Sequence, residues 1–107
     1  VSFLISHLLL KSLRCPQDVG PFLSLIDRFW SAYGEVIGEG KLSQVEKDCP
    51  RLLMCLLLAR VDGKSPVEYL NDDTRKNFLR DFASRYLQSP IKELSQCLSL
   101  WRDSLPP

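Results

Sequence analysis

Apolar residues recur at every third or fourth position along almost the whole chain of 107 residues. This spacing places them on one side of an α-helix, whereas a half-buried β-strand would need alternation at every second position. No run of five or more residues alternates in that way. The sequence therefore predicts an all-α fold. We expect about five longer helices and one short helix in an irregular array that forms a single domain, residues 1–107.

Proline and glycine mark the boundaries of the first two predicted helices. The first spans about residues 2–13 and stops before Pro16. Apolar residues nearly encircle it, so we expect it to be buried on all sides. The second starts near residues 18–21 and ends at residues 38–40, which contain two glycines. Its predicted apolar stripe consists of Val19, Phe22, Ile26, Phe29, Trp30, Tyr33 and Ile37.

A third helix is predicted to begin at a capping box, in which Ser43 accepts a hydrogen bond from a backbone amide and Glu46 reaches back. Pro50 lies within the run that follows. We expect a kink or a fresh start at this proline, with Cys49 in an extended or strained conformation. The helix ends at Gly63, which is free to take a positive φ.

Charged residues surround the turn at Gly63. Arg60 and Asp62 are predicted to form a buried ion pair that fastens the end of the helix, with ligand contact as the alternative. Ser65 is predicted to cap a short helix that opens at Pro66. Arg60, Asp62, Gly63 and Ser65 are therefore assigned to a structural turn.

Two further helices complete the predicted array. Residues 71–73 interrupt the chain and cap one helix, Ser89 and Pro90 open the last one, and residues 105–107 end it. The apolar stripes are Phe78, Leu79, Phe82, Ala83, Tyr86 and Leu87 on the first and Ile91, Leu94, Cys97, Leu98 and Trp101 on the second. The aromatic members, with the Trp30–Tyr33 pair, are interpreted as core, and a binding surface is the alternative.

Charge and hydropathy limit the partners to be expected. Lys and Arg number 14 and Asp and Glu number 13, so the formal net charge is +1. This balance does not favour binding to nucleic acid or to an anionic membrane. The longest unbroken apolar run, Leu52–Ala59, is too short to span a bilayer. We expect neither nucleic acid nor a membrane as a partner.

The four cysteines are predicted to be reduced thiols packed in the interior. None belongs to a Cys-x-x-Cys motif, and the single histidine, His7, is near only Cys15 in sequence, so no zinc site is expected. Cys55 and Cys97 lie in apolar helical stretches, and the N-terminus lacks the pattern of a signal peptide. We expect a cytoplasmic protein; a secreted helical protein with two disulfides is the alternative.

No complete catalytic motif occurs in the chain. Residues 63–65, Gly-Lys-Ser, resemble the end of a phosphate-binding loop, but Leu58 stands where that motif needs its first glycine. There is no Gly-x-Ser-x-Gly element, and His7 has no acidic residue close in sequence to orient it as a base. We therefore assign no catalytic residue and no metal ligand.

His7 and Lys11 are the two polar residues that we single out as candidate ligand contacts. They lie four residues apart on the otherwise apolar first helix, so their side chains share one face. In the functional interpretation both point into a cleft and touch an anionic or hydroxylated ligand. In the structural alternative His7 forms a hydrogen bond inside the core and Lys11 extends outward along the apolar surface.

Three stretches of the chain resemble the aminoglycoside phosphotransferase-like family of kinase-like small-molecule phosphotransferases. Residues 1–12, VSFLISHLLLKS, resemble the helix that follows the metal-binding Asp motif of that family. Residues 56–70, LLLARVDGKSPVEYL, are similar to a later block in some of its members, and residues 29–33, FWSAY, fit between the two. The resemblance runs in order over most of the chain and is most specific in the second block.

The resemblance implies that the chain is the helical C-terminal part of a protein-kinase-like fold, on the side of the acceptor substrate. In the family, N-terminal lobes hold ATP, magnesium and the catalytic Asp. The resemblance places those lobes outside this chain, so the chain would bind no cofactor and transfer no phosphate alone. The chain opens at Val1 in the middle of a helical pattern, which fits a fragment. His7 and Lys11 would line the pocket of a small-molecule acceptor. The alternative function is a stand-alone helical domain for protein interaction, ligand binding or dimerisation.

Overall fold

The computed structural model describes residues 1–63 and 72–106, and every regular element within them is helical. The predicted all-α fold is confirmed. A short 3-10 helix, Pro16–Asp18, joins the first two helices. The α-helices are α1 (Ser2–Arg14), α2 (Val19–Ile37), α3 (Glu39–Asp62), α4 (Asp73–Gln88) and α5 (Leu94–Ser104). The short helix predicted to open at Ser65 and Pro66 lies outside the described residues.

α3 is the central helix, because it packs against each of the other four. All five helices contribute to one buried core, and most of the residues predicted to face inward on α4 and α5 belong to it. On α2 only Leu23 and Ile26 are buried, and the predicted aromatic stripe lies half-buried beside them. The largest fully buried side chains are Trp101, Ile5, Leu9, Leu10, Leu13, Ile26, Leu53, Met54, Leu57, Leu79 and Leu94, with Pro50 among them.

α1 has the predicted bounds to within one residue, but it is not buried on all sides. Ile5, Leu9 and Leu13 on one face are fully buried. On the opposite face Phe3 is 63% exposed and Leu4 is 41% exposed. The expectation of an encircled helix is wrong, because the elements that pack against α1 leave Phe3 and Leu4 exposed.

A single glycine joins α2 to α3. Gly38 has a φ of 89°, a left-handed conformation that glycine adopts without steric cost, and its amide donates to the carbonyl of Gly34 at 2.9 Å. The chain therefore leaves one helix and enters the next within one residue, and α3 begins at Glu39. The capping box predicted at Ser43 and Glu46 is wrong, because both residues lie inside α3.

α3 continues through Pro50 without interruption. Proline removes one helical hydrogen bond and crowds the preceding turn, which in an exposed helix costs about 3 kcal/mol. Here Pro50 is buried, and packing against four neighbouring helices holds α3 together across the missing bond. The expected fresh start at Pro50 is wrong, and Cys49 is helical and not extended. The alternative, a kink at Pro50, stays a prediction.

α5 begins at Leu94 and not at Ser89–Pro90, so the predicted start is wrong by several residues. Ile91 faces the core as predicted, but it does so from the connecting loop. The first amide of α5 is satisfied from a distant helix: the Leu94 N–H donates to the Glu46 carboxylate of α3 at 2.9 Å. A carboxylate at a helix N-terminus also interacts favourably with the helix dipole.

We predict that Glu46→Ala lowers the free energy of unfolding by about 1–2 kcal/mol, because the Leu94 amide loses its acceptor. Glu46→Gln should cost less than half as much, since the amide oxygen still accepts. Urea denaturation checks both values. Glu35→Ala, an exposed glutamate on α2, is the matched control and should change stability little. An equal loss in both alanine variants would contradict this capping role.

Candidate functional site

His7 and Lys11 both lie on the side of α1 opposite its fully buried residues. We define the open face of α1 as Phe3, Leu4, His7, Lys11 and Arg14, which helical spacing places together. His7 is exposed and Lys11 is half-buried. The exposure of His7 does not fit the alternative of a hydrogen bond inside the core. Contact of these two residues with a substrate stays a prediction.

The open face of α1 changes in character along the helix. Its N-terminal end is apolar: Phe3 and Leu4 are exposed large hydrophobic residues, and Val1 directly before the helix is exposed as well. Its C-terminal end carries the two cations Lys11 and Arg14. Such a face can contact a partner through apolar surface while presenting cations to an anionic or hydroxylated group.

The charged residues at the end of α3 form a different pair from the one predicted. Asp62 accepts from Arg80 of α4, with both carboxylate oxygens 3.0 Å from Nε, and the pair is exposed. These hydrogen bonds hold the pKa of Asp62 below its ordinary value. Arg60 takes no part: residues two apart on a helix do not face each other. The predicted buried pair between Arg60 and Asp62 is therefore wrong.

Arg60 itself is half-buried, and its Nε is a buried donor without an acceptor in the described part of the chain. Gly63 follows with a φ of −85°, so the predicted positive φ is wrong. A glycine is still needed, because a Cβ at this position would collide with the carbonyl oxygen of Ala59. Lys64 and Ser65 lie outside the described residues.

An aromatic cluster joins α4 to α5. The ring of Trp101 meets those of Phe78 and Phe82 edge-on, each with centroids 5.1 Å apart, and Phe82 meets Tyr86 at 4.9 Å. Phe82 and Trp101 are buried, whereas Phe78 and Tyr86 are half-buried. The interpretation of these aromatic residues as core therefore holds for Phe82 and Trp101. The rings of Phe78 and Tyr86 remain accessible to solvent.

The accessible rings line a solvent-open cleft, which we call the aromatic cleft. Its lining consists of Phe78, Asp81, Phe82, Arg85, Tyr86 and Ser104. A second cleft lies between α2 and α5 and is lined by Leu23, Asp27, Ser95, Leu98, Ser99 and Arg102. The aromatic cleft has the apolar walls and few converging polar groups that are typical of small-molecule sites, whereas most residues lining the second cleft are polar.

All four cysteines are free thiols. Cys49 and Cys97 are buried, Cys15 is half-buried, and Cys55 is exposed, so the expectation of a packed Cys55 is wrong. Burial raises the pKa of Cys97 to about 12, with a smaller contribution from Cys49. Burial also raises the pKa of Cys49, although a hydrogen bond from Ser2 opposes this effect.

Sequence reasoning missed the polar contacts that join distant segments. The Trp101 indole N–H donates to Ser12 at 2.8 Å across 89 positions, and Arg75 donates to the carbonyl of Leu13 at 2.9 Å. Nothing in the local pattern of α4 indicated a cleft beside Asp81. These contacts depend on how the helices pack, which no local signal encodes.

Comparisons of the chain with protein-family models, with curated proteins and with solved structures found no significant match. Across residues 1–63 and 72–106, no three His, Cys, Asp or Glu side chains come together in a group that could hold a metal ion. The helices in the same ranges include none with both the length and the apolar character needed to cross a membrane.

Proposed function

We propose that the chain is the helical, acceptor-substrate-side part of a cytoplasmic ATP-dependent small-molecule phosphotransferase. It would belong to the aminoglycoside phosphotransferase-like family and would be inactive alone. The observation that supports this most directly is the open face of α1, where Phe3 is 63% exposed and Leu4 is 41% exposed. On this proposal the kinase-like N-terminal lobes of the same polypeptide cover that apolar end.

The roles proposed for the N-terminal lobes and for this chain follow from the chemistry of phosphoryl transfer. The missing lobes would hold ATP and magnesium and supply the catalytic Asp, because the reaction needs positioning and charge neutralisation that this chain does not provide. Lys11 would donate hydrogen bonds to an anionic or hydroxyl group of the acceptor, and the His7 imidazole would donate or accept beside it. These two residues would bind the acceptor and take no part in the chemical step.

The complete open reading frame provides the first test. We expect it to encode a nucleotide-binding lobe upstream of Val1, and we expect its product to form ADP in the presence of magnesium, ATP and a hydroxylated acceptor. Lys11→Met and His7→Ala should each raise the KM for the acceptor about tenfold and leave the KM for ATP unchanged. Lys92→Met, on the loop before α5, is the control. A start codon directly before Val1, without such a lobe, would contradict the proposal.

The open face of α1 gives a second prediction. In the 107-residue chain, Phe3→Glu and Leu4→Glu should leave the melting temperature within about 3 °C, because both side chains are solvent-exposed. In the full-length product the same substitutions should reduce soluble yield and activity, since they would place a charge in a covered interface. Leu25→Glu, at a leucine of α2 that is 53% exposed, is the control. Equal effects of all three changes on the full-length product would argue against the proposal.

The runner-up function, a stand-alone interaction or dimerisation domain, has one observation in its favour. Leu52 is 53% exposed on α3, within the longest apolar run of the chain. Sedimentation of the isolated chain separates the two proposals. A tight dimer that Leu52→Glu dissociates and Leu25→Glu does not would favour the runner-up, and a monomer at micromolar concentration would count against dimerisation.

A further inference from the structure

The aromatic cleft combines two features that the proposed function does not use. The first is an accessible wall of rings from Phe78 and Tyr86, backed by the buried ring of Phe82. The second is a pair of opposite charges on the same helix face, Asp81 and Arg85. Both features belong to α4, on a different helix from the open face of α1.

Asp81 and Arg85 do not neutralise each other. An acidic residue four positions before a basic one is the favourable order for an ion pair on a helix. Yet no ion pair or side-chain hydrogen bond engages either residue among those that the structure describes. The guanidinium of Arg85 instead lies 6.0 Å from the centre of the Tyr86 ring. The cleft thus has a carboxylate acceptor and a guanidinium donor available at its rim.

We propose that the aromatic cleft binds a small aromatic zwitterion, a free α-amino acid with an aromatic side chain. Its ring would pack against Phe78 and Tyr86, where edge-on and offset contacts between rings are favourable. Its ammonium group would donate to the Asp81 carboxylate. Its carboxylate would accept from the Arg85 guanidinium, whose planar fork suits a carboxylate.

The spacing of the two charges supports this ligand class. Side chains four apart on a helix have Cβ atoms about 5–6 Å apart, so flexible Asp and Arg side chains can converge on adjacent ammonium and carboxylate groups. A ligand with only one charge would leave one of the two rim groups without a partner. The zwitterion satisfies both, and its ring can meet the accessible parts of Phe78 and Tyr86 in the same cleft.

The fluorescence of Trp101 reports binding in the cleft directly, because its ring centroid lies 5.1 Å from the ring centroids of both Phe78 and Phe82. In a Trp30→Phe background of the full chain, Trp101 is the only tryptophan. We expect L-phenylalanine to change its emission saturably, with a Kd of about 1 mM, and calorimetry to give the same constant. Phenethylamine, which lacks the carboxylate, and 3-phenylpropionate, which lacks the ammonium, should each bind about tenfold more weakly.

Charge-removing variants identify which group recognises which end of the ligand. Asp81→Asn should weaken binding of L-phenylalanine about tenfold and leave 3-phenylpropionate unaffected, whereas Arg85→Gln should weaken L-phenylalanine and leave phenethylamine unaffected. Asp48→Asn and Arg51→Gln make the same chemical changes on the exposed side of α3. These control variants should bind L-phenylalanine like the parent chain.

A third variant tests the cleft without altering its charges. Ser104→Leu places a larger side chain at the rim and should abolish the emission change, while thermal unfolding shows that the fold persists. The proposal is overturned if L-phenylalanine at about 10 mM changes neither emission nor heat. It is also overturned if binding is equal in the parent, Asp81→Asn and Arg85→Gln chains. None of these outcomes depends on the presence of a kinase lobe.

Discussion

Replacing Trp101 by alanine should lower the free energy of unfolding by about 3–5 kcal/mol. Trp101 is fully buried and packs edge-on against Phe78 and Phe82, with both centroid distances 5.1 Å. Its indole N–H donates to Ser12, so the residue joins α5 to both α4 and α1. Truncation would remove the contacts of Trp101 with two rings of α4, leave a cavity and remove the donor from a buried hydroxyl.

The two tryptophans of the chain make this prediction easy to control. Trp30 is only half-buried on α2, so Trp30→Ala should cost about half as much or less. Urea denaturation followed by far-ultraviolet circular dichroism measures both variants. Ser12→Ala should cost about 1–3 kcal/mol, because it leaves the buried indole N–H without its acceptor. If Trp30→Ala proved as damaging as Trp101→Ala, the central role of the aromatic cluster would be wrong.

Raising the pH from 8 to 10 should destabilise the fold through Cys97. Its thiol has an ordinary pKa of 9.0 and a pKa of about 12 in the folded chain, because burial disfavours the thiolate. Below pH 9 the thiol is protonated in both states, and its contribution to stability is fully present. Above pH 9 the unfolded chain loses the proton first, so rising pH favours unfolding until the folded thiol also titrates near pH 12.

The size of this loss of stability at alkaline pH follows from the shift in the pKa of Cys97. Each pH unit between the two pKa values is worth about 1.4 kcal/mol, so Cys97 should account for about 1.4 kcal/mol of lost stability between pH 8 and 10. The free energy of unfolding from urea titrations at pH 8, 9 and 10 measures it. Cys97→Ala should remove that component, and Cys55→Ala, at an exposed thiol, should retain it. Parallel pH profiles for the parent and Cys97→Ala would refute the prediction.

Much of the fold could be predicted from local pattern alone. The 3.6-residue period depends only on which residues are apolar, so it located the five described α-helices and the inward faces of α4 and α5, but not the 3-10 helix. The predicted ends of the helices were less accurate, because helix ends depend on hydrogen-bond partners outside the local sequence. Ser43 and Glu46 have the local form of a capping box, yet Glu46 caps α5 instead.

The candidate sites also combine features that local sequence predicts with features that only packing determines. The order of residues puts His7 and Lys11 on one face of a helix, and it puts Asp81 and Arg85 on one face of another. Whether such a face is covered or open depends on which neighbours pack against it. Asp62 likewise could not be paired from sequence, since its partner Arg80 lies 18 residues away on another helix.

The sequence by itself determined that this chain is helical, because apolar periodicity is a property of consecutive residues. It also determined which side chains could share a face. The tertiary structure alone decided that α3 runs unbroken through Pro50, that α1 leaves Phe3 and Leu4 uncovered, and that a cleft opens beside Phe78. The physical reason is that burial and long-range hydrogen bonds are energies of the packed assembly, and packing can override a local preference worth a few kcal/mol.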